Sequence, residues 1–208
     1  MGDIYDRLTR LLEQEDPLLV SSSVISDLED FRNIESDSDV INLARQNRRL
    51  ERSERGLPIA YARNFLLGVY YSGLNDGEYS LSLAADCYRF ASSSAFSLTR
   101  KCREENIVKW LYRSYQNSRR VCILEEESKS INPINLFYAH LFVLNSGLNL
   151  LDRLDGSLGD IFVGINDSQF LEFLRGHYEL LCMLKPDDKR VLDNVYSVYK
   201  NVNRRFAR

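Results

Sequence analysis

The sequence predicts an all-α protein of about eight helices, forming an irregular helical bundle or a short stack of helical hairpins. Three observations carry that prediction. Four prolines and ten glycines in 208 residues are too few to supply the turns of an all-β fold. Apolar residues recur at three- and four-residue steps through most of the chain instead of alternating. The apolar content of 44% and charged content of 27% are those of a soluble globular chain long enough to bury a core.

The elements follow in order. Residues 2–15 set Ile4, Leu8, Leu11 and Leu12 on one helical face ahead of Pro17, an amphipathic helix with a stop signal. Residues 21–40 mix serine and acid around a short helical centre, with Ser36-Asp37-Ser38-Asp39 as loop and cap. A polar helix then runs over 39–55 and ends at Gly56 and Pro58. The next helix, 58–73, has Tyr61, Phe65, Leu66 and Val69 as its stripe. Asn75-Asp76-Gly77 is a hairpin signal between strands, but Leu81, Ala84, Ala85 and Tyr88 follow helical spacing, which predicts a second helix over 78–92 packed back on the first. Ser92-Ser93-Ser94 reads as the cap of a long helix from 95 to 126, with Phe96, Ile107, Val108, Leu111, Tyr115, Val121 and Cys122 facing inward. Pro133 opens a helix over 132–152. A loop and a weak segment at 158–165 lead to Asp167-Ser168, the predicted cap of a helix over 168–184. Pro186 precedes the last helix, 187–205, which buries Val191, Leu192, Val195, Val198 and Tyr199.

The net charge of −3 conceals an asymmetry. Residues 1–41 carry eleven acids against three arginines, whereas residues 42–208 carry twenty-four basic and nineteen acidic side chains. The chain therefore divides into an acidic N-terminal helical arm, 1–41, and a mildly basic single all-helical domain, 42–208.

Cys87, Cys102, Cys122 and Cys182 contain no C-x-x-C pair and no metal-like spacing, so they read as small buried hydrophobes in a reducing compartment. The N-terminal residues lack the basic and apolar regions of a signal peptide. The most apolar run, 134–151, is interrupted by three Asn, a Ser, a His and a Gly, which suits a buried core helix better than a membrane span. An intracellular protein, in cytoplasm or nucleus, is expected.

No P-loop, H-E-x-x-H or G-x-S-x-G occurs. His140 lies in the most apolar helix and reads as a hydrogen-bonded core histidine; His177 reads as half exposed and unpaired. Arg63-Asn64 resembles the start of the R-N-x3-H motif of the helical HEPN ribonucleases, but Gly68 occupies the histidine's place, which removes the agent of that chemistry. No catalytic residue, cofactor or metal set is expected, and chelation should leave folding unchanged.

Two segments resemble the tetratricopeptide repeat, a helix pair with the spacing W-x2-L-G-x2-Y, then A-x3-F, then P. Residues 64–91 carry Leu67-Gly68-x2-Tyr71 and later Ala84-x3-Tyr88-x2-Ala91; residues 174–199 carry Leu174-x3-Tyr178, Pro186 and Leu192-x2-Val195-Tyr196-x2-Tyr199. Asn64 stands where the family has Trp, the first link is about four residues too long by comparison with the repeat, and no Pro closes the first unit. The resemblance implies a right-handed helical stack that binds other proteins.

Arg45, Arg48, Arg49, Arg52 and Arg55 recur at three- and four-residue steps and line one helical face. Such a stripe contacts successive phosphates by charge-assisted hydrogen bonds, or is a solvated face partly neutralised by Glu51 and Glu54. Arg100-Lys101, Arg103 and Arg119-Arg120 add further basic clusters. Tyr61, Tyr70, Tyr71, Tyr112 and Tyr115 are candidate stacking partners for bases wherever they are exposed. The leading expectation is a non-enzymatic protein–protein interaction module, an adaptor, chaperone-like module or assembly subunit with a protein partner or a second copy of itself. The alternative is an all-helical RNA- or DNA-binding protein using the arginine stripe.

Overall fold

A computed structural model of the chain describes residues 56–73, 77–128, 132–154 and 166–184, with single positions between 193 and 200. Among the described residues there is no strand: five α-helices and one 3-10 turn account for nearly all of them, against about eight helices expected. The expected helices at 2–15, 21–40 and 39–55, the segment 158–165 and most of 187–205 lie outside the described residues, as does the acidic arm 1–41.

Helix α1, Leu57–Ser72, has Pro58 in its first turn, where the missing N–H costs nothing. It stops at Gly73, whose N–H bonds back to Val69 O and Tyr70 O. Burial extends around the whole helix from Ala60 to Gly68, as expected of a helix with neighbours on several sides. Helix α2, Glu78–Leu98, begins at Gly77, whose φ of 80° and ψ of −151° suit glycine far better than any residue with a Cβ. The Asn75–Gly77 link therefore joins two helices, as the spacing predicted, not two strands.

The serine run corrects the expected boundary. Ser92, Ser93 and Ser94 do not cap a helix starting at 95; α2 runs through them to Leu98. Ser92 is fully buried, donates to Ser114 O at 2.9 Å, and meets the hydroxyls of Ser114 and Ser118. With its hydroxyl satisfied by the neighbouring helix, the serine has no need to turn back on its own backbone. The break comes instead at Thr99–Arg103, where the Thr99 hydroxyl donates to Phe96 O at 2.6 Å. A 3-10 turn, Glu104–Asn106, then leads into α3, Ile107–Glu127.

Buried Glu125 ties the end of α3 to the next helix. Its carboxylate accepts from Asn132 N–H at 2.7 Å and Asn135 Nδ2 at 3.0 Å, while the Asn132 side chain accepts from Ile134 N–H. Helix α4, Pro133–Leu154, is long and apolar enough to cross a bilayer by length and composition, yet most of that stretch is buried inside the protein. Helix α5, Asp167–Leu184, is capped by Asn166 and not by the expected Asp167-Ser168. Asn166 Oδ1 accepts from Gln169 N–H at 2.9 Å and Gln169 Oε1 accepts from Asn166 N–H at 3.1 Å, a reciprocal capping box.

The side-chain contacts define two layers. Successive helices pack on one another, α2 also packs on α4, and ring contacts join α1 to α3 and α3 to α5. Tyr61 of α1 sits on Trp110 of α3, and Tyr115 of α3 on Phe170 of α5; Phe96 of α2 sits on Phe142 of α4. Helices α1, α3 and α5 thus form one layer, and α2 and α4 the other. Helices within a layer are parallel: Tyr115 and Arg119 on α3 face Phe170 and Phe173 on α5 in step.

Two glycines set how closely the layers approach. A Cβ at Gly68 would lie 2.8 Å from the ring of buried Tyr88, and one at Gly147 2.6 Å from the fully buried Leu174. A Cβ at Gly176, in the middle of α5, would meet nothing within 4 Å. Gly68→Ala and Gly147→Ala should therefore destabilise by about 1–3 kcal/mol through overpacking. Gly176→Ala should stabilise by up to about 1 kcal/mol through helix propensity. Urea unfolding of the three variants checks the opposite signs.

Candidate functional site

Helix α3 presents chemistry-bearing side chains to every other described helix. Toward α1 it offers Arg113, whose guanidinium lies 5.5 Å from the Tyr61 ring and 4.5 Å from that of Trp110. Asn117 donates to Arg113 O at 2.8 Å and reaches the Tyr61 hydroxyl at 3.4 Å. Arg120 lies over Phe65 of α1 and Tyr88 of α2, at 5.0 and 5.4 Å. Toward α5, exposed Arg119 lies 5.3 Å from Phe173.

The expected contact residues divide accordingly. Arg45, Arg48, Arg49, Arg52 and Arg55 lie outside the described residues. Arg100, Lys101 and Arg103 are brought together, exposed, on the turn between α2 and α3. Arg119 and Arg120 are engaged with rings of the protein itself. Among the aromatic candidates, Tyr61, Tyr71 and Tyr115 are buried and so fail the condition of exposure; Tyr70 and Tyr112 are half-buried. Arg63 and Asn64, the residues resembling the HEPN motif, are buried within α1.

One cluster was not foreseen. Cys122 on α3, His140 on α4 and His177 on α5 converge, with one donor atom from each lying within 4.8 Å of the others. His140 Nδ1 is 2.6 Å from His177 Nδ1 and 3.8 Å from Cys122 Sγ. No Cys/His set announced itself by metal-like spacing, and these three nonetheless converge; the reading of His177 as unpaired is corrected, because its Nδ1 meets that of His140. The three residues are 18 and 37 positions apart on separate helices, so no local spacing announces them. The fold brings them together by register: Tyr115 faces Phe170, and Cys122 lies the same 55 residues ahead of His177.

Burial keeps the cluster neutral. It lowers the pKa of His140 to about 4. Burial, with the neighbouring charges of His140 and Arg119, lowers that of His177 to about 3. Burial pushes the Cys122 thiol up to about 12, with Glu126 adding to the effect. Two neutral imidazoles facing each other through Nδ1 require complementary tautomers, one carrying the proton and the other accepting it. The Phe173 ring closes the outer side of His177, with centroids 4.5 Å apart.

No protein-family model, curated protein or solved structure matches the chain.

Both histidines have folded pKa values below the unfolded value of about 6.5. Their contribution to stability is complete above roughly pH 6.5 and is lost as pH falls through the folded values of about 4 and 3. The groups facing His140 are Cys122 and His177; those facing His177 are His140, Cys122 and Arg119. In chelator-treated protein, the ring resonances of both histidines should stay unshifted between about pH 7 and 5, on the side of the ordinary pKa where a free imidazole titrates. The urea midpoint should fall over the same interval, and less steeply in His177→Gln. Ring signals titrating at the free-histidine pKa would contradict the burial.

Proposed function

We propose that the chain is a non-enzymatic helical interaction module, built of tetratricopeptide-like hairpins and acting as an adaptor, chaperone-like module or assembly subunit. The observation that carries the proposal is the outer face of α5. Phe173, Leu180 and Met183 share one side of the helix with Gly176, and all are exposed, Met183 to 78%. An apolar stripe at this spacing is what an incoming amphipathic helix covers. Tyr178, further round the helix, meets Tyr196 at 5.7 Å and so lies apart from the stripe. Arg175, bridging to Glu172 and Glu179 on the polar flank, gives the stripe a charged rim.

The hairpin part of the proposal is supported by the layered packing and by the motif residues themselves. Leu67, Gly68, Tyr71, Ala84, Tyr88 and Ala91 are all buried. Gly68 admits the Tyr88 ring, the pairing of small and large side chains that the repeat pattern calls for.

A second reading, nucleic-acid binding, is favoured by one observation: the exposed cluster of Arg100, Lys101 and Arg103 on a single turn. One set of measurements separates the two. Amphipathic helical peptides selected from a displayed library on the full chain should bind the wild type and lose at least roughly tenfold in affinity on Leu180→Glu/Met183→Glu, a change of about 1.4 kcal/mol or more. Folding should be nearly unaffected, since surface changes move stability by only about 0.5 kcal/mol. Peptides that bind both proteins equally, or no enrichment at all, would overturn the interaction proposal. Retention of short RNA or DNA that weakens steeply with salt and is lost in Arg100→Glu/Arg103→Glu would favour the alternative.

A further inference from the structure

We propose that Cys122, His140 and His177 form a binding site for a d10 transition-metal ion, Zn2+ or Cu+, held between α3, α4 and α5. The donor set is the first reason. One thiol and two imidazoles are the ligands these borderline-to-soft ions select over the hard oxygen donors of Mg2+ or Ca2+. Convergence is the second. Each donor comes from a different helix, and all three donor atoms lie within 4.8 Å of one another.

The distances are close to those a metal needs. An ion about 2.05 Å from each nitrogen and about 2.3 Å from sulfur, in tetrahedral arrangement, separates the nitrogens by about 3.3 Å and nitrogen from sulfur by about 3.6 Å. Cys122 Sγ is already 3.8 Å from His140 Nδ1 and lies within 4.8 Å of the His177 donor. The two Nδ1 atoms, at 2.6 Å, must part by about 0.7 Å to reach that ideal, a displacement within reach of small ring rotations. On binding, the ring that carries its proton on Nδ1 shifts it, by way of solvent, to its own Nε2, so both rings stay neutral and both Nδ1 lone pairs face the metal. The Cys122 thiol releases its proton to solvent on binding, leaving a thiolate, two neutral imidazoles and the cation. Three protein donors leave a fourth position to water. Bound there, the ion cross-links three consecutive helices and stabilises the native state by mass action.

The test uses the full chain, stripped by chelator dialysis and titrated separately with Zn2+, with Co2+ as its spectroscopic substitute, and with Cu+ under anaerobic conditions. The expected result is one ion per chain, a thiolate-to-cobalt charge-transfer band, and a melting temperature that rises with metal concentration. Cys122→Ser and His177→Gln should each weaken binding at least roughly tenfold, about 1.4 kcal/mol, and Cys122→Ser should abolish the band. Cys182→Ser, at a cysteine outside the cluster, should change neither. Circular dichroism of each metal-free variant establishes that it is folded, and Cys122→Ser, close to isosteric, decides the question if a histidine variant is not. Tight binding of Cu+ alone would support the site and assign its ion. Binding that survives Cys122→Ser, that disappears with Cys182→Ser, or that leaves the melting temperature unchanged would overturn it. Peptide binding at the α5 stripe is read independently, so the two proposals fail separately.

Discussion

The constraint on which the described fold depends is that α3 must satisfy neighbours on four sides at once. A helix with one apolar stripe buries that stripe and leaves the rest to water. Helix α3 has no such freedom, because Trp110, Arg113, Ser114, Asn117, Ser118, Cys122 and Glu125 are all buried along it. Each polar group removed from water costs about 1–3 kcal/mol if left without a partner, so the neighbouring helices must bring partners in register. Ser92 comes from α2, the Tyr61 hydroxyl from α1, Asn135 from α4 and, by way of His140, His177 from α5. Sliding any of these helices by one turn would strand several groups together, which fixes the alignment more sharply than apolar contact alone.

Arginine contributes to this in a way lysine could not. The guanidinium of Arg113 lies against the rings of Tyr61 and Trp110, and that of Arg120 against Phe65 and Tyr88. A planar, weakly hydrated cation stacks on aromatic faces at low desolvation cost, whereas an ammonium keeps its water. The predominance of arginine over lysine in the composition, 21 to 6, thus has at least part of its origin in packing between helices, beside any contact with phosphate.

Much of the helical framework was legible in the sequence, and for local reasons. The predicted 58–73, 132–152 and 168–184 agree within two residues with Leu57–Ser72, Pro133–Leu154 and Asp167–Leu184, because prolines, a glycine stop and regular apolar spacing mark them. The boundary at 92–98 was not legible. A serine run reads the same whether its hydroxyls turn back onto their own backbone or cross to another helix, and only the presence of Ser114 and Ser118 opposite decides it. The cluster of Cys122, His140 and His177 was hidden for a related reason. Cys122 and His140 alone resemble ordinary core positions and His177 a half-exposed one, and their meeting depends on the lengths of two hairpins. Burial of Tyr61, Tyr71 and Tyr115 likewise follows from which faces the neighbouring helices take, something spacing within one helix leaves open.

The membrane-like composition of α4 has a consequence for how the chain is made. Its apolar surface is hidden by α2 and α3, which precede it, and by α5, which follows it. A ribosome adding roughly 5–20 residues per second takes about 2–6 seconds to extend from Leu154 to Leu184. Throughout that interval the groove at Gly147, which Leu174 later fills, stands open on a nascent chain that already carries a bilayer-length apolar helix. The order of helices along the gene thereby becomes a determinant of yield, separate from the stability of the finished fold.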